Sequence, residues 1–382
     1  MKRSENRILT THVGSLIRPR PLLQAGEAAA ANPSLRPQYE SLLSQAVSDV
    51  VARQKAVGLD IVSDGEFGKD NWANYVIQRL TGFEIREHQL QPARWLGSDL
   101  ERFPQVIEAD FPGLLQGRPT EACVAPITYT GVNEVSRDLR NLKAALAEHH
   151  AEGFFTVVAP ASTAYDGVNE YYASEQDYVF ALAEALREEY QAVYRAGITL
   201  QVDDAVLANM YDALVRESPE RYREWASLRI EALNHALAGI PPECVRYHVC
   251  FGSWHVPHLS DAELPDIIDL VLKVRAGAYS IEAANPRHEH EWRVWEERKL
   301  PEDRILIPGV ITHHTITVEH PRLVADRIIR FARLVGRENV IAGADCGFAQ
   351  TNKIQRVPED VMWAKFEALA EGARLASAEL WG

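Results

Sequence analysis

Val245-Arg246-Tyr247-His248-Val249-Cys250-Phe251 is followed by a segment of helical spacing, 261–275, and then by Ala278-Tyr279-Ser280-Ile281-Glu282. Two short apolar runs of strand length, joined by a helix, read as neighbouring parallel strands with a crossover connection. The first run also carries chemistry. Side chains two apart on a strand share a face, with Cα atoms roughly 6.6 Å apart. His248 and Cys250 can therefore reach one soft metal ion. Taken alone, the pair is better read as a buried histidine and an inert buried thiol. The other strand ends reverse that preference.

Working outward, the same alternation recurs. Upstream lie strand-like runs at 8–15, 59–63, 154–159 and 198–202, with helical patterns at 39–57, 137–150, 175–196 and 219–238. Gly58 and Gly197 stand where two of these helices stop, as C-terminal glycines do. Downstream, strands at 304–310 and 339–344 alternate with helices at 320–335 and 358–375. A further strand-like run, 122–129, gives one strand more than an eightfold barrel needs, and it is expected to pair outside the barrel. Residues 81–120 mix Pro, Gly and Trp without a clear period and read as an excursion or lid after the second strand. No Gly-x-Gly-x-x-Gly turn follows the first strand, which disfavours an open dinucleotide-binding sheet. The expectation is an α/β protein, a (β/α)8 TIM-like barrel, with 1–382 forming one domain.

Composition narrows the partners. Forty basic against 54 acidic side chains leave a net charge of −14, which lacks the basic footprint of a nucleic-acid or anionic-membrane binder. The 46% hydrophobic content supplies a core, and no apolar run approaches the ~20 residues of a membrane span. The first residues show no apolar segment of the secretory kind. Four cysteines in 382 residues suit thiols or metal ligands better than a disulfide framework. A cytoplasmic protein is expected, with the oligomeric state left open.

A closed barrel gathers its strand ends at one rim, where such folds keep their chemistry. Those ends carry Gly14-Ser15, Asp64-Gly65-Glu66, Asp203-Asp204, His248-x-Cys250, Glu282, His313-His314 and Asp345-Cys346-Gly347. His248, Cys250, Glu282 and Cys346 together offer one nitrogen, two sulfurs and one oxygen, a set suited to tetrahedral Zn2+. If a substrate thiol replaces the Glu282 oxygen, the metal holds it as a thiolate at neutral pH. His288-Glu289-His290-Glu291 reads instead as a solvated first helical turn. His255 and His258 read as a surface loop, and Cys123 and Cys244 as structural thiols.

The segments Thr10-Thr11-His12-Val13-Gly14-Ser15, Ser63-Asp64-Gly65-Glu66-Phe67, Val202-Asp203-Asp204, His248-Val249-Cys250, Ser280-Ile281-Glu282 and Asp345-Cys346-Gly347 resemble the cobalamin-independent methionine synthase family. They are similar to its catalytic C-terminal barrel, in the same order, over essentially the whole chain. The resemblance implies zinc bound by His248, Cys250, Glu282 and Cys346. It implies that Ser15, with the backbone at Val13 and Gly14, holds the carboxylate of an amino-acid thiol, and that Glu66 and Asp203 bind its ammonium group. Asp203 and His314 stand as the catalytic positions, His314 as an acid or positioning group after Gly309-Val310, with His313 one residue away. The activity implied is methyl transfer to homocysteine in methionine biosynthesis, a methyl/alkyltransferase of the 5-methyltetrahydropteroyltriglutamate–homocysteine S-methyltransferase kind. Its partners would be a small-molecule thiol and an alkyl donor, of which methyl-tetrahydrofolate is one.

The departures define the rivals. Asp203-Asp204-Ala205 stands where the family has Asp-Glu-Pro, and 382 residues leave no room for a second barrel. The stretch from Ile281 to Glu289 looks closer to single-barrel relatives that include epoxyalkane–coenzyme M transferases. A sulfonate would need a cation, for which Arg18, Lys69 and Arg287 are candidates, while Glu66 and Asp203 would lack a role. A lyase like uroporphyrinogen decarboxylase would leave the ordered Cys and His positions idle. A purely structural zinc module would favour a ligand set without the carboxylate. Trp72, Trp95, Trp254 and Trp292 are the candidate platforms for a methylfolate ring.

Overall fold

The computed structural model describes residues 1–165, 167–351 and 355–382. The strands are β1 (Leu9–Thr10), β2 (Ile61–Val62), β3 (Phe83–Gln91), β4 (Arg118–Cys123), β5 (Glu152–Val158), β6 (Val168–Asn169), β7 (Thr199–Asp204), β8 (Val245–Val249), β9 (Ala278–Ile281), β10 (Ile305–Ile311) and β11 (Ile341–Ala344). Among the described residues, eight of them form one parallel sheet in the order β1-β11-β10-β9-β8-β7-β5-β2. The two ends of that order meet through the Asp60 N–H, which donates to the Thr10 carbonyl at 3.1 Å. The result is a nearly closed (β/α)8 barrel. All residues of β8 and β10 are buried, because the barrel interior covers one face and the helices the other.

The helices form where their stripes require. Helix Glu175–Arg195 buries Val179, Leu182, Leu186, Tyr190 and Val193 along one face. Ser174 caps it by accepting from the Asp177 N–H at 3.1 Å, and Gly197 follows its end at φ +74°. Helix Pro219–Ala236 is capped by Ser218 in the same way. The 261–275 pattern shortens to Leu264–Val271, and the last helix extends to Trp381. Helix Arg20–Ala31 has no counterpart in the sequence reading, since only Leu22 and Ala29 of it are buried.

The strand expected at 122–129 is displaced to Arg118–Cys123 and pairs outside the barrel, between β3 and β6. The excursion contains β3, which pairs antiparallel with β4. No β3 residue is buried, so neither face shows the alternation that would have announced a strand. Inside the barrel, Leu9, Ile61, Phe154, Ala278, Ile305, Ile307 and Ile341 plug the end where strands begin. Above this plug lies a polar layer. Arg246, fully buried, donates to Thr11 Oγ1 at 3.1 Å and to the His12 carbonyl at 2.9 Å. Its guanidinium lies 3.9 Å from the Phe154 ring centroid, and burial lowers its pKa to about 9.

Candidate active site

Strand register sets the floor of the site. Asp203 on β7 lies beside His248 on β8, and His248 lies beside Ser280 on β9. Gln201, two residues before Asp203 and on the same face, donates to Asp203 Oδ1 at 2.8 Å and to the Val13 carbonyl. The adjacent Asp204 is engaged elsewhere. Its carboxylate accepts from Ser162 Oγ at 2.8 Å, the Tyr247 hydroxyl at 2.9 Å and the Leu207 N–H at 3.2 Å. Both aspartates line the cavity, but the Asp204 carboxylate is taken up by these three donors, which tie strands to helix.

His248, Cys250 and Cys346 bring one ligand atom each within 4.8 Å of one another. The two sulfurs lie 3.4 Å apart. Ser280 Oγ lies 3.3 Å from His248 Nδ1, and His248 Nε2 is buried without a hydrogen-bond partner. Buried ring nitrogens are rarely left so; with two buried thiols beside it, the nitrogen has the chemistry of a metal ligand. The Cys346 thiol is lowered by its hydrogen bond with Cys250, against burial, and further by His248. Cys250 is raised by the same hydrogen bond and by burial. A pocket that stabilises an anionic sulfur next to an imidazole suits a borderline cation such as zinc.

Glu282 adjoins this trio but groups with His313 and His314, their ligand atoms lying within 4.8 Å of one another. Its Oε1 accepts from the Phe251 N–H and its Oε2 from Asn285 Nδ2, both at 2.9 Å. His314 Nε2 lies 3.6 Å from Oε2. Burial would raise the Glu282 pKa, but His314 and the Phe251 N–H bring it below its ordinary value. His313 is buried with neither ring nitrogen bonded, and burial holds it neutral. Thus the structure brings three of the four expected ligands into one group and sets Glu282 in the adjoining one. Asp345 connects the two. Its Oδ1 accepts from the N–H groups of Ala283 and Ala284 at 2.8 Å each, fixing the turn after Glu282 next to Cys346.

Ser15, Glu66 and Asp203 line the same cavity of about 530 Å³ as His248, Cys250 and Cys346. Glu66 sits at φ +61°, strained for a residue with a Cβ, and its Oε2 is buried without a partner. Gly14, at φ +144°, is required here: a Cβ would lie 2.9 Å from Glu66 Oε1 and 2.5 Å from Thr156 Cγ2. A Cβ at Gly347 would collide with Ser15 Oγ. Asp203 is pushed up to about 8 by burial, against the influence of His248, and by repulsion from Glu66. Here are two buried carboxyls, one destabilised as an anion and one with an orphaned oxygen, a pairing that a cation would relieve.

Residues 8–363 match the family model described as "Cobalamin-independent synthase, Catalytic domain". The chain belongs to the cobalamin-independent synthase family. Curated relatives include methionine synthases from Saccharolobus islandicus strain Y.N.15.51, 25% identical over 97% of this chain and 95% of that one, and from Sulfurisphaera tokodaii, 26% identical over 97% and 93%. A B12-independent methionine synthase from Shewanella sp. W3-18-1, solved with selenomethionine, shares the fold with a TM-score of 0.71 at 18% identity, over 98% of this chain and 99% of that one. A putative vitamin-B12 independent methionine synthase from Listeria monocytogenes does so at 0.63 and 20%, over 99% and 100%.

Several sequence readings need correction on this cobalamin-independent synthase barrel. His288 and Glu291 are buried, not solvated. His288 Nδ1 meets Glu291 Oε2 at 2.8 Å, and its Nε2 meets Asp261 Oδ2 at 3.1 Å. Asp261 also holds His258 Nδ1 at 2.8 Å, and His258 Nε2 reaches the Trp254 carbonyl at 3.0 Å. His258 is therefore part of a buried network, not a surface loop. The signal was available as two His-acid pairs spaced by three residues, 258/261 and 288/291. Arg18 donates to the carbonyls of Ala349, Glu66 and Lys69. Lys69 Nζ donates to the Thr156 carbonyl and, at 3.0 Å, to Thr156 Oγ1, so both cations brace loops. Trp72, Trp95 and Trp254 line the cavity, whereas Trp292 packs with Arg293 and Arg330. No helix among the described residues is long and apolar enough to cross a membrane.

Proposed function

We propose that this chain is a zinc-dependent methyltransferase that methylates the thiol of homocysteine. The observation that carries the reading is one cavity with two differently equipped regions: a His-Cys-Cys group, and a carboxyl pair with Ser15. Curated relatives of matching length carry the name methionine synthase, which supports the same reaction. His248, Cys250 and Cys346 would hold the zinc, with Glu282 as the fourth ligand. When bound, zinc supplies the Lewis acidity that keeps a thiol ionised at neutral pH.

The chain's own residues supply the rest. Glu66 and Asp203 receive the amino group of the acceptor, and its positive charge relieves the repulsion between them. Ser15 and the backbone at Gly14 receive its carboxylate. The Glu282 carboxylate already has two hydrogen-bond donors of its own, Phe251 N–H and Asn285 Nδ2, so it keeps partners when a thiol arrives. His314, beside Glu282 and partly exposed, is placed to exchange a proton with solvent as the donor leaves. Holding acceptor and donor in one cavity accelerates an in-line displacement through orientation. Arg18 and Lys69 are engaged by backbone carbonyls and Arg287 does not line the cavity, which disfavours a sulfonate acceptor such as coenzyme M.

The test is zinc-edge X-ray absorption of the purified chain with and without L-homocysteine, alongside mass-spectrometric detection of methionine. One oxygen or nitrogen neighbour replaced by sulfur supports the reading. A zinc-free preparation, or an edge that homocysteine leaves unchanged, sinks it.

A further inference from the structure

His313 and His314 follow β10, which ends at Ile311. Consecutive side chains on a strand point to opposite faces, yet these two ring centroids lie 4.0 Å apart. The turn that gathers them is firmly built. The Thr312 N–H donates to Glu319 Oε1 at 2.8 Å, and buried Lys365 holds Glu319 Oε2 at 2.9 Å. The His314 N–H donates to Thr312 Oγ1 at 3.2 Å. Glu282 comes to meet them from the end of β9, on the turn that Asp345 fixes.

Glu282, His313 and His314 each bring one ligand atom within 4.8 Å of the other two. His313 is 4% exposed, and both of its ring nitrogens are unpartnered. Such a buried imidazole is costly, and it has no task in methyl transfer as proposed above. Two imidazoles and a carboxylate are a ligand set for a first-row divalent cation that keeps an open coordination position. Glu282 can serve two ions at once. An ionised carboxylate offers about four lone-pair sites, of which the Phe251 N–H and Asn285 Nδ2 use two. His314, partly exposed, gives an ion its way in.

We propose that Glu282, His313 and His314 form a second metal site beside the His-Cys-Cys group. It takes a divalent cation of the zinc or cobalt kind and silences methyl transfer when filled. Lacking thiolates, it fills only after the His-Cys-Cys group. The silencing follows from its members. An ion there engages a ring nitrogen of His314, which the reaction needs for proton exchange, and pins the carboxylate that a thiol must displace. That consequence rests on the methyl-transfer reading above, whereas the site rests on geometry alone.

The experiment loads the full chain with one equivalent of zinc and then adds Co2+ in a metal buffer. Metal per chain, the visible spectrum and methionine formation are followed together. A second ion should bind with a cobalt spectrum free of sulfur-to-metal charge transfer. Methionine formation should fall about 100-fold as it binds, the scale of one lost acid–base group. His313→Leu should keep the first ion, bind the second at least about 100-fold more weakly, and escape the silencing. Loaded with Co2+ alone, that variant should still show sulfur charge transfer, which requires Cys250 and Cys346 to meet and so reports a closed barrel. His313→Asn replaces it if that control fails. One ion per chain in excess Co2+, or a second ion that carries sulfur charge transfer, overturns the proposal. So does a second ion that the variant binds as well as the wild type, or full methionine formation with both ions bound. If no methionine forms at any metal content, the methyl-transfer reading falls, while stoichiometry and spectrum still decide the site.

Discussion

The sulfurs of Cys250 and Cys346 lie 3.4 Å apart, although 96 residues separate them in the chain. Nothing local produces that approach. It follows from β8 and β11 ending at the same rim, with β9 and β10 between them. Each thiol therefore depends on barrel closure for its partner, and the metal would depend on both. Replacing Cys250 or Cys346 with serine should lower zinc affinity by at least about 100-fold, above the ~10–100-fold cost typical of losing an outer partner. Methyl transfer should fall in parallel. Competition with a chromophoric chelator measures the first and methionine formation the second; full zinc binding by either variant would refute the ligand assignment.

Ser280 offers a finer test. Its Oγ lies 3.3 Å from His248 Nδ1, the contact that fixes which ring nitrogen faces the sulfurs. Ser280→Ala should cost about tenfold in zinc affinity and leave the folded structure intact, since the side chain shrinks by one atom. Unchanged affinity in the same chelator titration would mean the ring is oriented by the strand alone.

These two tests bear on residues that were legible in the sequence to different degrees. His248, Cys250 and Cys346 could be read because each ends an apolar run, and a barrel rim gathers such ends. Ser280 sits in the middle of a run, where nothing separates an orienting hydroxyl from a tolerated one. The excursion's β3 escaped because no residue in it is buried, which removes the period on which strand reading depends. The His258-Asp261-His288-Glu291 network escaped for the opposite reason. Charged residues are rarely fully buried unless paired; the local pairs 258/261 and 288/291 could be seen in the sequence, but their joining across 27 residues, between His288 and Asp261, is a tertiary fact. Glu282 was legible as a candidate ligand, but its present partners Phe251 and Asn285 were not.

Glu66 and Asp203 should act on the amino group of the acceptor and on nothing else. Glu66→Gln removes the charge while keeping the shape, so the KM for homocysteine should rise about 10–100-fold, the scale of a charged hydrogen bond. Zinc content should stay unchanged. With 4-mercaptobutyrate, which lacks the amino group, the same substitution should have little effect. An equal loss with both thiols would move Glu66 from amine recognition to general upkeep of the cavity.

His288 gives the fold a predictable alkaline weakness. Burial works against its charged form, but the bonds to Asp261 and Glu291 outweigh burial and raise its pKa from 6.5 to about 10. A histidine whose folded pKa exceeds the unfolded one binds more protons when folded. Its stabilising contribution is thus complete below pH 6.5, declines as pH rises, and is gone above about 10. Urea unfolding of the zinc-loaded protein at pH 6, 8 and 10 should reveal this when compared with His288→Gln. The wild type should lose on the order of 2–4 kcal/mol more than the variant across that range, because glutamine keeps a polar contact but has no proton to release. The variant should be the less stable protein at pH 6 and approach the wild type at pH 10. Parallel stability curves for the two proteins would show that the cluster is held neutral and contributes by packing, with Phe251 stacked 3.9 Å from the His288 ring as its main support.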